Sequence, residues 1–373
     1  MNICIESSLL NHHQRSGLLT YAEGLINSLY HDDQNNHYTL AYYSLSRNAT
    51  QMPGPESKNF QKMVLKIPDQ PFWGRQSLLD NLVLPLFFKK NKTRVFHRLS
   101  GYTMPNSKDV FKILTVHDLR TLAIGDTFRK QNIEHYQNTL DNSDVCVVVS
   151  ESTKRDLIRH FQMDERKIKV TYLAAAEHFR PAAGEKITQV MEKYQIREPF
   201  LLSIGFVPRK NIDGIIRGFA GADVKKEYLL VLNVDRDIDR YKGIAKESGV
   251  LDRIRFLPKL TDEEIVVFYS ACTAFLFPSY YEGFGLPILE AMQCGAPVIT
   301  SNVSSCPEVA GEAAILVDPY KVDEISDAID QICHNRNLRS SLAAKGFERA
   351  KLFSWNKFAK EMTEIYSLAK EKK

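Results

Sequence analysis

Two successive trains of short apolar runs, each alternating with amphipathic segments, constrain this chain more than any other feature. In the first train Asn2–Glu6, Phe111–Val116, Val145–Val149 and Lys169–Leu173 read as buried strands. In the second, Phe200–Gly205, Tyr228–Leu232, Arg255–Leu257, Ala274–Phe277 and Pro297–Thr300 do so. Between strands, Leu18, Tyr21, Leu25, Ile26 and Leu29 follow helical spacing, as do Ile215, Ile216 and Phe219. Such alternation implies parallel sheets covered by helices. It occurs twice, and the polar stretch Glu177–Lys186, with Pro181 and Gly184, lies between. The expected fold class is α/β, with doubly wound domains over 1–180 and 181–353 and a final helix over 354–373. A length of 373 residues agrees, since one domain takes about 100–200.

Hydrophobic residues make up 44% and charged residues 25%, a globular balance that excludes disorder, collagen and a small disulfide scaffold. The apolar stretch Leu82–Phe88 contains Pro85 and falls far short of a membrane span, which needs about 20 residues. The opening MNICIESSLL has neither a basic start nor a long apolar core, so no secretion signal is expected and the location expected is cytoplasmic. Six cysteines form no CxxC pair, and His12 and His13 stand without a zinc-type partner set. Buried free thiols and no metal are the expectation. Net charge is +4, and residues 75–112 hold eight basic residues against two acidic. That excess suits either an ordinary solvated face or an anionic partner such as a phosphorylated substrate or lipid.

Ligands of doubly wound sheets bind beyond the carboxyl ends of the strands, which makes the polar residues after strands the candidates and the cleft between two such domains the expected place. Ser279–Ile299 (SYYEGFGLPILEAMQCGAPVI) runs from a strand through Gly283 and Gly285 to a helix opened by Pro287, with Gly295 at its end. A glycine loop feeding a helix start exposes N–H groups that suit phosphate. Glu282 and Glu290 flank it; carboxylates accept hydrogen bonds from sugar hydroxyls, although Glu290 also fits a simple dipole-favoured position. Arg209 and Lys210 precede a helix that Asn211 can cap. Two cations oppose a helix dipole at about 0.3–1 kcal/mol each, an arrangement that makes sense around a bound anion. His117 and Asp118 follow a strand, where histidine serves either structure or catalysis, and Gly17 opens the first helix.

The run Glu282–Gly283–Phe284–Gly285–Leu286–Pro287 with Glu290 resembles the signature of glycosyltransferase family 4, retaining enzymes of the GT-B fold. PRKN (Pro208–Asn211), VHDL (Val116–Leu119), VSESTKRDL (Val149–Leu157) and SSCPEVAGEAAILVDP (Ser304–Pro319) fit in the same order. The resemblance implies two Rossmann-like domains facing across a cleft, acceptor on the first and nucleotide sugar on the second, with the final helix returning to the first. It implies Glu282 on the donor sugar, Glu290 on the ribose, and Arg209 and Lys210 on the diphosphate. It further implies Gly17 beside the phosphates, His117 by the sugar, backbone at Phe284–Leu286 on sugar and phosphate, and Leu257 to Leu260 facing the base. Three departures stand out: Ser16–Gly17 in place of two glycines, YLAAAEHF before the linker, and Asn233 at a strand end where glycine is usual.

The implied activity is retaining hexose transfer, leaning to mannose, from a GDP- or UDP-linked donor to a glycan or polyprenyl-diphosphate-linked acceptor in surface-polysaccharide synthesis of O-antigen or lipopolysaccharide type. No metal cofactor or nucleic-acid partner is expected; Asp235 and Asp237 have Asp-x-Asp spacing in a loop-like setting. A sugar-nucleotide epimerase or a non-catalytic sugar-nucleotide-binding subunit is the alternative. Residues 71–94 join Phe72, Trp73, Leu78, Leu79, Leu82 and Val83 to Lys89, Lys90, Lys92 and Arg94, ahead of a strand at RVFH. They read either as one packed helix with exposed lysines or as a peripheral contact with an anionic membrane.

Overall fold

The computed structural model describes the chain except residues 12–15, 45–51, 67–75, 102, 124–129, 206 and 373. It divides into two units, Met1–Leu173 with Ser354–Lys373, and Ala174–Phe353. The passage from one to the other thus falls ahead of the polar Glu177–Lys186 stretch.

Among the described residues the first unit holds seven parallel strands: β1 (Asn2–Glu6), β2 (His37–Ser44), β3 (Phe60–Lys66), β4 (Val95–Arg98), β5 (Phe111–Val116), β6 (Val145–Val148) and β7 (Ile168–Val170). Their order is β3-β2-β1-β4-β5-β6-β7. Every residue of β4, β5 and β6 is buried, as expected where helices cover both faces of a parallel sheet. The second unit holds β8 (Phe200–Ile204), β9 (Leu229–Asn233), β10 (Ile254–Leu257), β11 (Ala274–Phe277), β12 (Val298–Ser301) and β13 (Ala314–Val317), in the order β10-β9-β8-β11-β12-β13. The order reverses direction between β1 and β4 in one sheet and between β8 and β11 in the other. These are the topological switch points, where the crossovers run to opposite sides and leave a crevice.

The apolar stripe of the Gly17–Asp32 helix buries Tyr21, Leu25, Ile26 and Leu29, while Leu18 stays 37% exposed. The C-terminal helix Trp355–Ser367 buries Phe358, Met362, Ile365 and Tyr366 and belongs to the first unit. It crosses the Gly17–Asp32 helix at Gly24, where a β-carbon would stand 2.3 Å from the Trp355 ring. Only glycine allows that approach.

Three strands escape the apolar-run reading. β3 and β13 are edge strands; β3 carries Gln61 and Lys62, and Leu316 in β13 is 39% exposed. β2 is rich in tyrosine and threonine (HYTLAYYS) and lacks a continuous aliphatic run. In 76–91 the backbone widens to a π-turn over Leu79–Val83 before Leu84–Asn91. Pro85 sits in the first turn of that second segment, and its missing N–H removes a bond that an unbroken helix would need. Leu79 is buried, whereas Leu82 is 51% and Leu86 60% exposed, so the segment is not a helix packed over its whole apolar surface. Phe72 and Trp73 lie outside the described residues. Arg94 is not a free surface charge: its guanidinium donates to the carbonyls of Ala369, at 2.8 Å, and Lys372.

Candidate active site

Lys210 follows β8 and Glu282 follows β11, so the β8/β11 switch point brings together residues far apart in sequence. Lys210 Nζ donates to Glu282 Oε1 at 2.7 Å. Arg209 Nη2 lies 3.5 Å from Glu282 Oε2. All three side chains are largely withdrawn from solvent, with 12%, 6% and 21% exposed for Lys210, Glu282 and Arg209. Gly205, at φ +126°, lets the Lys210 stem lie against the strand end: a β-carbon there would be 3.0 Å from Lys210 Cγ. Lys210 Nζ also stands 4.1 Å from the centroid of the Phe277 ring, a favourable cation–π placement.

Burial pushes the Glu282 carboxyl upward, but the charges of Lys210 and then Arg209 outweigh it and hold it below the ordinary range. Glu282 is therefore ionised. Two cations against one carboxylate leave one positive charge in excess. Arg209 Nε is buried with no hydrogen-bond partner among the described residues. A buried donor left unmade costs about 1–3 kcal/mol, and an incoming anion removes that cost.

The loops around the trio are tied to one another. Asn211 caps the Ile212–Gly221 helix, its side chain accepting from Gly214 N–H at 3.0 Å, while Nδ2 donates to the carbonyls of Pro278 and Pro319. Tyr280 N–H donates to Arg209 O at 2.8 Å. Ser304 Oγ accepts from Glu282 N–H at 2.9 Å, and Ser305 Oγ donates to the carbonyls of Glu282 and Phe284. These two serines hold the glycine loop in shape. Their string was visible in the sequence, but nothing in it told clamp from connector.

Gly283, Phe284 and Gly285 lead into the Leu286–Gln293 helix, with Gly285 at the cap position at φ +104° and Pro287 in the first turn. Glycine has no side chain to cap the first-turn N–H groups, so that end keeps its partial positive charge for a ligand. Gly295 takes the left-handed conformation just past the helix, at φ +85°. Glu290 is partly buried on this helix, and the Tyr269 hydroxyl donates to it at 3.5 Å. Leu257 and Leu260 point into the core, 5% and 6% exposed. At that strand end the side chains facing solvent are those of Pro258 and Lys259, not the two leucines. Asn233 takes a structural part there, its Nδ2 donating to Pro258 O at 2.6 Å.

Gly17 and His117 stand in the first unit. Gly17 is the first residue of its helix, and Ser16 is the cap, accepting from Leu19 N–H at 3.3 Å. The serine in place of a second glycine thus has a local reason. His117 leaves the end of β5, and its Nε2 donates to Leu99 O at 2.7 Å. Burial lowers its pKa, so the ring is neutral at pH 7 and Nδ1 is its acceptor nitrogen. Asp235 and Asp237 lie exposed in the loop after β9. Among the described residues no three His, Cys, Asp or Glu side chains group as metal ligands, and all six cysteines are free and buried.

The description of the group 1 glycosyl transferases matches residues 186–349. An Escherichia coli protein named O-antigen chain mannosyltransferase B is 33% identical over 266 residues, covering 69% of this chain and 70% of its own length. The Escherichia coli serotype-specific mannosyltransferase WbdA is 30% identical over 65% of this chain, which matches only 32% of that longer protein. Among solved structures, sucrose-phosphate synthase from Thermosynechococcus elongatus superposes with a TM-score of 0.79 at 20% identity, covering 100% of both chains. Anabaena Alr3699/HepE, solved with UDP-glucose, gives 0.74 at 16% identity over 98% of this chain and 99% of its own. At such identities the structural likeness speaks for the fold; the sequence relatives speak for the family. The chain belongs to the group 1 glycosyl transferases, enzymes built on the GT-B fold.

Proposed function

We propose that the chain is a retaining, metal-independent hexosyltransferase. It moves mannose from a nucleotide diphosphate sugar, GDP-linked before UDP-linked, to a glycan or polyprenyl-diphosphate-linked acceptor in surface-polysaccharide synthesis. The observation that carries this reading is the buried Arg209–Lys210–Glu282 trio at the β8/β11 switch point, with its excess positive charge and unpaired guanidinium N–H. A diphosphate leaving group supplies the missing anion. Mannose and the O-antigen setting rest on the names of the Escherichia coli relatives; the nucleotide sugar is also what Alr3699/HepE was solved with.

In the proposed reaction the bond between the anomeric carbon and the diphosphate oxygen breaks, and negative charge grows on that oxygen. Arg209 and Lys210 stabilise it, together with the start of the Leu286–Gln293 helix, all fixed before the reaction begins. The acceptor oxygen attacks from the same face, and its proton passes to the departing phosphate. No protein general base is assigned. Glu282 accepts hydrogen bonds from the donor sugar and Glu290 from the ribose. Gly17 meets the phosphates and His117 the transferred sugar. Exposed Leu82 and Leu86 next to Lys89 and Lys90 support a peripheral contact with an anionic membrane.

Calorimetric titration with GDP, UDP and ADP, followed by product analysis with each sugar nucleotide, tests the reading. The expected result is tightest binding of GDP and a product with the donor's anomeric configuration. Nucleotide affinity unchanged in both Arg209→Ala and Lys210→Ala overturns the site.

A further inference from the structure

A buried polar line in the first unit takes no part in the donor site and yet ends against His117. The Tyr366 hydroxyl, on the C-terminal helix, lies 2.9 Å from His97 Nδ1. His97 Nε2 lies 2.8 Å from Thr115 Oγ1, which in turn lies 2.8 Å from the Tyr21 hydroxyl. Tyr366, His97 and Tyr21 are fully buried and Thr115 is 2% exposed. The Tyr21 ring then meets His117 edge-on, with centroids 4.7 Å apart and planes at 87°. The Tyr21 ring also meets Phe358 of the C-terminal helix edge-on, with centroids 5.5 Å apart.

Burial, with a smaller contribution from His117, brings His97 down to about 3. The ring is neutral at pH 7, so one nitrogen donates and the other accepts, and the four groups form a single directed chain. Phenylalanine, leucine and valine fill such space without polar atoms that must each be satisfied. What the polar version adds is direction: it fixes where the Tyr21 ring stands along β5. Among the described residues, His117 is restrained by its bond to Leu99 O and by that ring.

We propose that Tyr21, held by the Tyr366–His97–Thr115 line, is a positioning residue that sets the His117 ring for sugar transfer, so that the C-terminal helix acts on the rate as well as on stability. This rests on the reading of His117 as part of the transferase site. The test is a double-mutant cycle on the full chain with saturating donor and acceptor. Tyr21→Phe keeps the ring and removes its anchor; kcat is expected to fall about threefold to tenfold with donor KM nearly unchanged. In a His117→Ala background the same change is expected to cost less than about twofold, because coupled residues are non-additive. Tyr366→Phe should behave alike. Thr115→Val should match Tyr21→Phe, and Thr115→Ser should restore the rate; this pair decides the matter if Tyr366→Phe does not fold. Equal losses in both backgrounds, or no loss of kcat in Tyr21→Phe, overturn the positioning role. If His117→Ala alone leaves the rate unchanged, the assignment of His117 fails first and the proposal with it, an outcome distinct from a slow His117→Ala enzyme with an additive cycle.

Discussion

Lys210 serves two partners. It neutralises a buried carboxylate 2.7 Å away, and it is proposed to meet a diphosphate. Lys210→Ala therefore removes charge from the leaving group and leaves Glu282 buried with Arg209 alone. Transfer is expected to fall at least tenfold, about 1.4 kcal/mol in the barrier, with weaker nucleotide binding by calorimetry. Stability should fall as well, by less than the about 3–5 kcal/mol of a fully stranded buried charge, because Arg209 still stands 3.5 Å from Glu282. The pH dependence has a definite sign. Glu282 titrates below its ordinary range when folded. Its contribution is present above its unfolded pKa of about 4.3 and is lost as pH falls through the lower folded value. The stability gap between wild type and Glu282→Gln, read by denaturant unfolding, should be widest near pH 7 and narrow below pH about 4. A gap that stays constant over that range argues against an ionised, paired Glu282. Glu290→Ala should chiefly raise the donor KM, since ribose contacts are alike in ground and transition states, whereas Glu282→Ala should lower kcat also.

Two helices carry predictions of their own. Where the Gly17–Asp32 helix crosses the C-terminal helix, a methyl group at Gly24 would sit inside the Trp355 ring's space. Helix propensity favours alanine there by about 1 kcal/mol, but overpacking costs about 1–3 kcal/mol or more, so Gly24→Ala should lower the thermal midpoint. A raised midpoint would mean the helices separate freely at this crossing. The Leu84–Asn91 helix, with the π-turn before it, shows solvent a row of Leu82, Leu86, Lys89 and Lys90. These fall four and then three or four residues apart, on one helical face. Bulky apolar groups beside lysines bind anionic leaflets, at about 1 kcal/mol per nearby charge. Vesicle sedimentation should rise with anionic lipid, fall with salt, and drop when Leu82 and Leu86 become Ser or Lys89 and Lys90 become Ser. Equal sedimentation with neutral vesicles removes the membrane contact and leaves sugar transfer untouched.

Across the whole molecule, the first unit is finished by the last segment of the chain. Phe358, Met362, Ile365 and Tyr366 are at most 6% exposed. At about 1.5–3 kcal/mol per buried side chain, their loss is comparable to the whole stability of a domain, about 5–15 kcal/mol. Removing 354–373 should unfold the first unit and leave the second protected in limited proteolysis. Activity of the full chain should survive EDTA, since Arg209 and Lys210 supply the charge proposed for the leaving group; loss restored only by manganese or magnesium contradicts that. The amino-acid order alone determined the α/β class, the two trains of central strands, the helical stripes and the glycine loop with its two glutamates. Each of these is a local pattern written by burial on both faces of a strand or on one face of a helix. The edge strand β3 was not legible, because a half-exposed strand carries polar residues such as Gln61 and Lys62, and the burial of Leu260 was not, because orientation within a loop is set by what packs beneath it. Only the tertiary structure decided that Glu282 takes both Lys210 and Arg209, that Arg94 is tied to the chain's end, and that Tyr366 reaches Tyr21 through His97 and Thr115. Apart from His97 and Thr115 on the paired strands β4 and β5, 18 positions apart, those pairings join residues about 70 to 280 positions apart, and strand order together with the return of the last helix, neither of which a local pattern encodes, brings them together.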